Sequence, residues 1–426
     1  MLSIDFIRQN KEKVAQAALN KNRKIDLERI LMLDDQMKEL FRKIQVLREE
    51  RNNLAKLNDA EKSRERGKEI KTQLKKLEDE LSKTQEELSK LMLYVPNVPL
   101  DEVPVGKDET SNVEIKKWGE QPNFSFTPKS HIELSESLDL VGFKTGSEVS
   151  GFRGYFLKNQ LAQVHFALLF YVFQKLVAKG YVPVVAPSVV KEFTLFGSAH
   201  FPWGKAEDVY ALNDKDSFLA GTAEIPIMAM HRNMTYSEKD LPIKYVAFSP
   251  CFRREAGSYG KDTHGLYRLH EFWKIEQVII AQNHLDEARK LHAELQENSE
   301  EILQELELPY RVLLMCTGDM GEPQMIKYDT EAWMPSRGRY GETMSNSIMG
   351  DFQCRRLNIR YKNDNGEKEF CYSLNNTAIA SPRILIALIE FDMVSPYPFR
   401  EGIHASVSYL IICGSPISPV HINKTL

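Results

Sequence analysis

Opposite charges lie close together at residues 251–276, in the stretch CFRREAGSYGKDTHGLYRLHEFWKIE. A strand over 243–252 leads into Arg253, a polar glycine-containing loop follows, and a second strand covers 272–281. Period-two alternation puts Phe272, Lys274 and Glu276 on one face of that second strand. The pattern predicts a hairpin whose charged face borders a concavity. A solvated hairpin with surface ion pairs is the alternative, because such pairs are common and contribute little.

Two further clusters contain groups that suit phosphate. Glu342 and Ser345 lie close together in the stretch 328–356 and offer hard oxygen atoms, which Mg²⁺ prefers when it also binds phosphate. In NNTAIASPRILIALIE, Pro382 can open a helix, so that Arg383 lies at the helix start and points to a phosphate or a carboxylate. Each cluster alone is also compatible with an ordinary surface segment.

The usual nucleotide-binding motifs are missing from the sequence. The segment GSYGKDT at 257–263 lacks the glycine spacing of a P-loop and the Ser or Thr after its lysine, and no G-x-G-x-x-G follows a clear strand. If the chain binds ATP, another arrangement of residues must hold it.

The elements around these clusters predict an α+β fold. Helices are expected at 160–180, 283–306 and 382–391, and strands at 181–190, 243–252, 272–281, 311–315, 351–361 and 368–375. Strands that follow one another through hairpins or long loops, with few helices between them, indicate an antiparallel sheet rather than a doubly wound parallel one.

The N-terminal part carries two heptad stripes that predict an antiparallel helical hairpin. Polar residues cover the other faces, and the segment NDAEKSRERG is expected to connect the two helices. Such an arm suits either dimerisation or contact with a large partner, and the heptads leave both open. The stripes are Ile30, Leu33, Met37, Leu40, Ile44, Leu47 and Leu54, then Ile70, Leu74, Leu77, Leu81, Leu88 and Leu91.

Composition narrows the class of protein. The 426 residues carry a net charge of −4, so a polyanionic partner must be bound by local basic patches. The five cysteines show no metal-ligand or disulfide spacing, which favours reducing cytosol. We expect no signal peptide and no membrane span. Prolines at 95–110 predict a linker, and hence domains at 1–110 and 111–426.

The order of these segments resembles the seryl-tRNA synthetases, of the class II aminoacyl-tRNA synthetase group. YVPVVAPSVV with Pro187 resembles motif 1 of the class, FRREAGSYGKDTHGLYRLHEFWKIE motif 2 and NNTAIASPR motif 3, while GTAEIP and GRYGETMSNSIMGDFQCRR resemble segments of the serine branch. Asn376 and Ile348 depart from the glycine and asparagine usual in the family. The sequence after about residue 391 does not resemble the family's usual tail.

The resemblance implies a tRNA-binding helical arm followed by a catalytic domain built on an antiparallel sheet flanked by helices. It implies ATP-dependent attachment of L-serine to tRNA(Ser) through a seryl-adenylate, with tRNA(Sec) as a further candidate substrate. It also implies a cytoplasmic homodimer that pairs through the motif 1 region around Pro187. A catalytically silent paralogue, with the arm as an RNA- or protein-binding module, is the alternative. A ligase that loads carrier proteins is another, although such relatives lack the arm.

The resemblance also implies the roles of individual residues. Arg253, Glu276 and Arg383 would be catalytic: Arg253 would hold the α-phosphate and the serine carboxylate, and Arg383 the far end of a bent ATP. Phe252 would stack on adenine, and Mg²⁺ would bind at Glu342 and Ser345. The serine pocket would comprise Thr222, Ala223, Glu224, Arg253, Glu276, Asn375 and Thr377. The ATP site would comprise Phe252, Arg253, Arg254, Glu255, Leu269, Glu342, Thr343, Met344, Ser345 and Arg383.

Overall fold

A computed structural model describes residues 1–54, 60–203, 206–214, 216–256 and 264–392. The chain divides into two compact units, one made of Met1–Pro99 with Gly321–Pro323 and the other of the remaining residues. The first break lies at Pro99, inside the proline-rich segment at 95–110. The segment 257–263 and the tail after residue 392 lie outside the described residues.

The first unit is helical. The predicted hairpin is confirmed, because Ile30 and Leu33 near the start of one long helix pack with Leu88 and Met92 near the end of the other. At the opposite end Ile44 packs with Ile70 and Leu74. Two bonds of 2.8 Å from Arg29 to Glu87 also join the two long helices. The helices of this unit are α1 (Ile4–Gln9), α2 (Lys11–Asn20), α3 (Leu27–Leu54) and α4 (Ala60–Leu93).

The connection predicted between the arm helices is wrong over most of its length. The segment NDAEKSRERG covers 58–67, yet α4 begins at Ala60. Ala, Glu, Lys and Arg have high helix propensity, so a polar run of these residues extends a helix instead of ending it. Arg66 within this run bonds Glu50 of α3 at 2.8 Å, which joins the two helices there.

The second unit is built on an eight-stranded sheet, and the predicted α+β class is confirmed. The strand order is β1-β8-β9-β10-β13-β7-β6-β2, and every neighbouring pair is antiparallel except β2 with β6. The strands of this sheet are β1 (Val113–Trp118), β2 (Val182–Val185), β6 (Ile243–Phe252), β7 (Glu271–Ala281), β8 (Tyr310–Leu314), β9 (Ile326–Met334), β10 (Arg339–Gly350) and β13 (Tyr372–Ser381).

Smaller elements complete the unit. Two short sheets pair β3 (Val189–Lys191) with β4 (Ser217–Leu219), and β12 (Lys368–Phe370) with β11 (Arg360–Lys362) and β5 (Thr235–Ser237). The helices are α5 (His131–Ser137), α6 (Phe143–Ser150), α7 (Asn159–Ala178), α8 (Glu192–Gly197), α9 (Glu224–Met230), α10 (Leu285–Glu305), α11 (Phe352–Leu357) and α12 (Arg383–Asp392).

In the stretch 326–375 one prediction is wrong and two strands were missed. The strand predicted at 351–361 is the helix α11 followed by the short strand β11. The helix buries the side chains of Phe352, Cys354 and Leu357. It ends at Asn358, whose backbone lies in the left-handed region at φ 56°. Strands β9 and β10 were not predicted at all, because polar side chains interrupt their apolar pattern.

Helices α7 and α10 pack on one face of the sheet and leave the other face for a cavity. The ring centroids of His165 on α7 and Trp273 on β7 are 5.1 Å apart. On α10, Asn298 donates a hydrogen bond of 2.7 Å to Gln277 on β7. Trp273 and Gln277 alternate along β7 with Lys274 and Glu276, which therefore point to the opposite face. Of the described helices, α7 alone is long and apolar enough to span a membrane, and Leu168 and Val172 on it belong to the core.

Candidate functional site

A cavity of about 240 Å³ opens on the sheet face opposite α7 and α10. It brings together residues from β7, β10 and β13, the start of α9, the start of α12 and the segments around Arg253 and Leu269. Of the residues that the resemblance implies, the cavity is lined by Thr222, Glu224, Arg253, Glu255, Leu269, Glu276, Glu342, Thr343, Met344, Ser345, Asn375, Thr377 and Arg383.

Three of the implied residues do not line this cavity. The side chain of Ala223 is buried in the apolar cluster that includes Ile227. Phe252 is the last residue of β6 and is half-buried outside the cavity lining. The Arg254 guanidinium lies over the Tyr210 ring at 5.8 Å from its centroid. Alternation at the end of β6 explains the position of Phe252, because its side chain points away from that of the next residue, Arg253.

The acidic half of the cavity is organised by a buried ion pair. The Lys274 Nζ lies 2.6 Å from Glu276 Oε2 and donates to the hydroxyls of Thr222 at 3.0 Å and Thr377 at 3.2 Å. Thr377 donates in turn to Glu276 at 3.1 Å. Lys274 was not among the implied site residues, although the period-two pattern had already placed it beside Glu276.

Glu224 adds a second buried carboxyl to this half. Its Oε1 accepts from Gln353 Nε2 at 2.6 Å and from Asn375 Nδ2 at 2.8 Å. Burial raises the pKa of Glu224 to about 7, and the nearby charge of Glu276 acts in the same direction, while the hydrogen bond from Gln353 opposes them. Gln353 was not predicted as a site residue, because it belongs to the helix that was predicted as a strand.

The basic half of the cavity contains both predicted arginines. Arg253 Nε donates to the Gly221 carbonyl at 3.3 Å, and its guanidinium lies 5.2 Å from the Phe272 ring centroid. Arg383 Nη1 donates to the carbonyl of Glu342 at 3.1 Å and to its carboxylate at 3.3 Å. Guanidinium groups held in this way present further N–H donors to an anion in the cavity.

A third cation, Lys327 on β9, lines the same half and was missed with its strand. Its Nζ lies 2.9 Å from Asp329 Oδ2. Burial raises the pKa of Asp329, against the attraction of Lys327. Burial also acts to raise the pKa of Glu342, but the charges of Arg383 and Lys327 outweigh it and hold that pKa below its usual value.

Glu342 and Ser345 fit a magnesium ion that keeps most of its ligands from elsewhere. The Glu342 side chain is 44% exposed, and the Ser345 hydroxyl has no hydrogen-bond partner among the described residues. No cluster of three His, Cys, Asp or Glu that could hold a metal occurs in the described part of the chain. A site with one carboxylate and one hydroxyl suits Mg²⁺ when phosphate oxygens and water complete the octahedron.

Comparison with known proteins agrees with this architecture. The family pattern of the "Seryl-tRNA synthetase N-terminal domain" matches residues 1–99, and that of the "tRNA synthetase class II core domain (G, H, P, S and T)" matches residues 208–392. The serine–tRNA ligase of Deinococcus radiodurans is 42% identical over 396 residues, which cover 92% of this chain and 93% of the relative. That of Symbiobacterium thermophilum is 40% identical over 400 residues, which cover 92% and 94%.

Solved structures agree as well. The crystal structure of seryl-tRNA synthetase from Pyrococcus horikoshii complexed with ATP superposes with a TM-score of 0.84 at 36% identity, covering 91% of this chain and 93% of that one. The cytoplasmic serine–tRNA ligase from Naegleria fowleri in complex with AMP gives 0.85 at 28% identity, covering 96% and 97%. The sheet is therefore that of a class II aminoacyl-tRNA synthetase core. Since the helical arm and the full-length relatives agree, the chain belongs to the seryl-tRNA synthetases.

The raised pKa of Glu224 predicts a pH dependence of stability. The folded chain keeps the Glu224 proton to about pH 7, whereas an unfolded glutamate loses it near 4.5. Protonation of Glu224 therefore stabilises the fold below about pH 4.5, and this contribution is lost as the pH rises to about 7, with a slope of at most about 1.4 kcal/mol per pH unit. Glu224→Gln should make the thermal unfolding midpoint depend less on pH between pH 5 and 7. The exposed control Glu297→Gln should leave the profile unchanged, and equal profiles for all three proteins would contradict the prediction.

Proposed function

We propose that the cavity joins L-serine to ATP as seryl-adenylate and that the chain then transfers the seryl group to tRNA(Ser). The chain is a serine–tRNA ligase, as its family membership implies. The observation that carries the assignment of the site is the division of the cavity into an acidic half around Glu276 and a basic half around Arg253 and Arg383. The two halves suit the amino acid and the nucleotide respectively.

The acidic half suits the small polar ends of serine. Glu276 and Glu224 can pair with its ammonium group, and the carboxylate of Glu276 with the hydroxyls of Thr222 and Thr377 can hydrogen-bond its hydroxyl. A buried site built to bond a hydroxyl rejects alanine strongly, because its own polar groups would be left unpaired. The rejection of threonine depends on the size of the pocket.

The basic half suits the reacting anions. In the first step the serine carboxylate oxygen attacks the α-phosphorus, a new P–O bond forms and pyrophosphate leaves with the electron pair of the broken bond. The reaction brings two anions together in line, so Arg253 would act by holding the carboxylate and the α-phosphate while Arg383 holds the terminal phosphate. No nucleophile from the chain is required.

Magnesium would be held by Glu342 and Ser345 together with phosphate oxygens. When bound there, Mg²⁺ supplies positive charge that offsets the charge of the phosphates. Support for ATP as the nucleotide comes from the relatives whose structures contain ATP or AMP.

The helical arm would bind the tRNA. Helix α4 carries exposed lysines along its length, and none of these forms an ion pair with a described residue. They are the lysines at 71, 75, 76 and 83. RNA helices are recognised largely through shape and phosphates, which unpaired lysines on a long rod can contact. tRNA(Sec) remains a second candidate substrate for the same surface.

The silent-paralogue alternative is not favoured, because Arg253, Glu276 and Arg383 are all present and line one cavity. The carrier-protein alternative is not favoured either, since the arm is present. We further infer a homodimer formed around the motif 1 region, and a cytoplasmic location. Support for the dimer comes from exposed apolar side chains on the edge strand β2 and on α7, which are Val182, Val185, Phe166 and Phe170.

Replacement of Arg253 tests the assignment of the basic half. Arg253→Ala should lower serine-dependent pyrophosphate exchange by roughly 100-fold or more, because a charge-stabilising donor is lost where the transition state needs it. The neighbouring Arg254→Ala is the matched control and should stay within about threefold of the parent. Absence of exchange in the parent at saturating serine would remove the proposed function, and equal loss in both variants would contradict the site.

Charge reversal on the arm tests the division of labour. Lys71→Glu, Lys75→Glu and Lys76→Glu together should lower kcat/KM for tRNA charging by more than about tenfold at low salt, because phosphate contacts are lost. Pyrophosphate exchange should be unchanged. The same reversal at the exposed Lys239, Lys362 and Lys368 serves as control. A parallel loss of exchange and charging in the arm variant would overturn the assignment.

The dimer inference is tested by adding a charge to the β2 edge. Val185 is 74% exposed in the single chain, and Val185→Glu should shift sedimentation from dimer to monomer, since a carboxylate buried in an apolar interface is costly. Val105, which is 70% exposed, offers the control Val105→Glu. A monomeric parent protein at micromolar concentration would contradict the inference.

A further inference from the structure

His131 connects three segments around the basic half of the cavity. It is the first residue of α5 and is 6% exposed. Its Nε2 accepts the backbone N–H of Leu266 at 3.1 Å. On the other side, Glu390 Oε1 accepts the backbone N–H of His131 at 2.9 Å and lies 3.1 Å from its Nδ1. The imidazole thus lies between helix α12 and the segment 264–267.

These contacts define the proton positions on the ring. Because Nε2 accepts a backbone N–H, the neutral imidazole carries its proton on Nδ1, which donates to Glu390. The Glu390 side chain is fully buried and also accepts from Ser336 Oγ at 2.7 Å and from Ser336 N at 3.0 Å. Burial acts to raise the pKa of Glu390, but the hydrogen bonds of His131 and Ser336 outweigh it and lower that pKa. Glu390 is therefore an ionised and fully bonded anchor.

The approach of the chain to the imidazole requires a glycine. Gly265 has φ +86°, and a Cβ at this position would lie 2.3 Å from His131 Nε2 and 3.0 Å from its Cε1. A side chain here would both strain the backbone and push the segment off the ring. Glycine at position 265 therefore allows the chain to approach the His131 ring closely enough for the Leu266 N–H to reach it.

The segment held by His131 continues directly into the cavity. Leu266 and Tyr267 line it. The Tyr267 carbonyl accepts from Arg383 Nε at 2.9 Å, and the Tyr267 ring lies beneath the Arg383 guanidinium, 4.5 Å from centroid to Cζ. A second guanidinium, that of Arg337, lies 4.3 Å from the same ring centroid. The orientation of Arg383 therefore depends on where Tyr267 lies.

Helix α12 contacts the segment at two points. Arg383, its first residue, bonds the Tyr267 carbonyl directly, and Glu390, about two turns later, reaches the Leu266 N–H through the His131 ring. The segment is thus fixed from the same rigid element that carries the arginine. Loss of the second connection leaves the Leu266 N–H without the imidazole acceptor, so the position of Tyr267, and with it that of Arg383, is less well defined.

We propose that His131 is a positioning residue for the nucleotide half of the site. Together with Glu390, it fixes Leu266 and Tyr267 and through them the guanidinium of Arg383. This inference rests on the proposed function of Arg383 in ATP binding. It assigns to His131 an effect on ATP and not on serine, because its contacts end at the segment that borders the basic half.

The test compares two replacements that each keep one half of the imidazole's bonding. His131→Gln places an amide oxygen near the Nε2 position, where it can accept the Leu266 N–H. His131→Asn is shorter and can replace only the Nδ1–H donor to Glu390. In pyrophosphate exchange we expect KM for ATP to rise about tenfold in His131→Asn and about threefold or less in His131→Gln. KM for serine should change less than twofold in both variants.

Calorimetric titration with ATP gives a readout that does not depend on exchange. The dissociation constant for ATP should rise more in His131→Asn than in His131→Gln. Failure of the proposed function would instead appear as absence of exchange in the parent protein, so the two failures can be told apart. Glu390→Gln keeps the volume of the anchor and should raise KM for ATP with the same selectivity. His292, a buried histidine on the opposite face of the sheet, provides the control His292→Gln, which should leave KM for ATP unchanged.

Three results would overturn the proposal. One is an unchanged KM for ATP in folded His131→Asn. Another is an equal rise of KM for ATP and for serine, which indicates a general loss of structure. The third is recovery by Asn instead of Gln, because it would mean that the Leu266 contact is not the one that matters.

Discussion

The cavity depends on the ion pair between Lys274 and Glu276. Both side chains are almost fully buried, at 6% and 3% exposure, and a buried carboxylate without a partner costs several kcal/mol. The lysine offsets this cost and also donates to two threonine hydroxyls that border the same space. One ammonium group therefore pairs with Glu276 and orients the hydroxyls of the proposed serine pocket, which is why the pocket can be both buried and polar.

The strands that carry this pair are fixed from behind by a layer of amides. On the α10 side, Asn376 Oδ1 accepts from Gln277 at 2.8 Å and from Ser299 at 2.7 Å. Asn376 lies between Asn375 and Thr377 on β13, and Gln277 follows Glu276 on β7, so these bonds hold the register of the cavity residues from the opposite face. Asn376, where the family usually has glycine, thus fills a structural position outside the cavity. Ile348, where asparagine is usual, is 1% exposed in the apolar core.

The basic half is held differently, by the start of helix α12 and by the segment that leads into β7. Arg383 begins α12, and its direction is set by the Tyr267 carbonyl and by Glu342. The acidic half, held by a buried ion pair, and the basic half, held through Tyr267 and Glu342, would suit the two proposed tasks, which differ in their tolerances. Selection of a small amino acid needs a fixed set of hydrogen bonds, whereas a triphosphate is held mainly by charge.

Local patterns were sufficient where they repeat regularly. The heptads predicted the hairpin of α3 and α4, the bounds 243–252 of β6 agree with the structure, and Pro382 indicated the helix that starts at Arg383. Alternation alone put Lys274 and Glu276 on one face. The resemblance to a family named many of the residues that line the cavity, but it did not indicate which contacts hold them in place.

Only the tertiary structure decided the rest, because the signals there depend on partners distant in sequence. Strands β9 and β10 are rich in polar side chains that pair across the sheet or face the cavity, so their alternation is invisible in the sequence, and Lys327 was missed with them. Gln353 reached Glu224 only because residues 352–357 form a helix. His131 and Glu390, 259 positions apart, meet only in the folded chain. Hydrophobic period reports which face is buried, whereas hydrogen bonds between buried polar groups are specified by three-dimensional proximity.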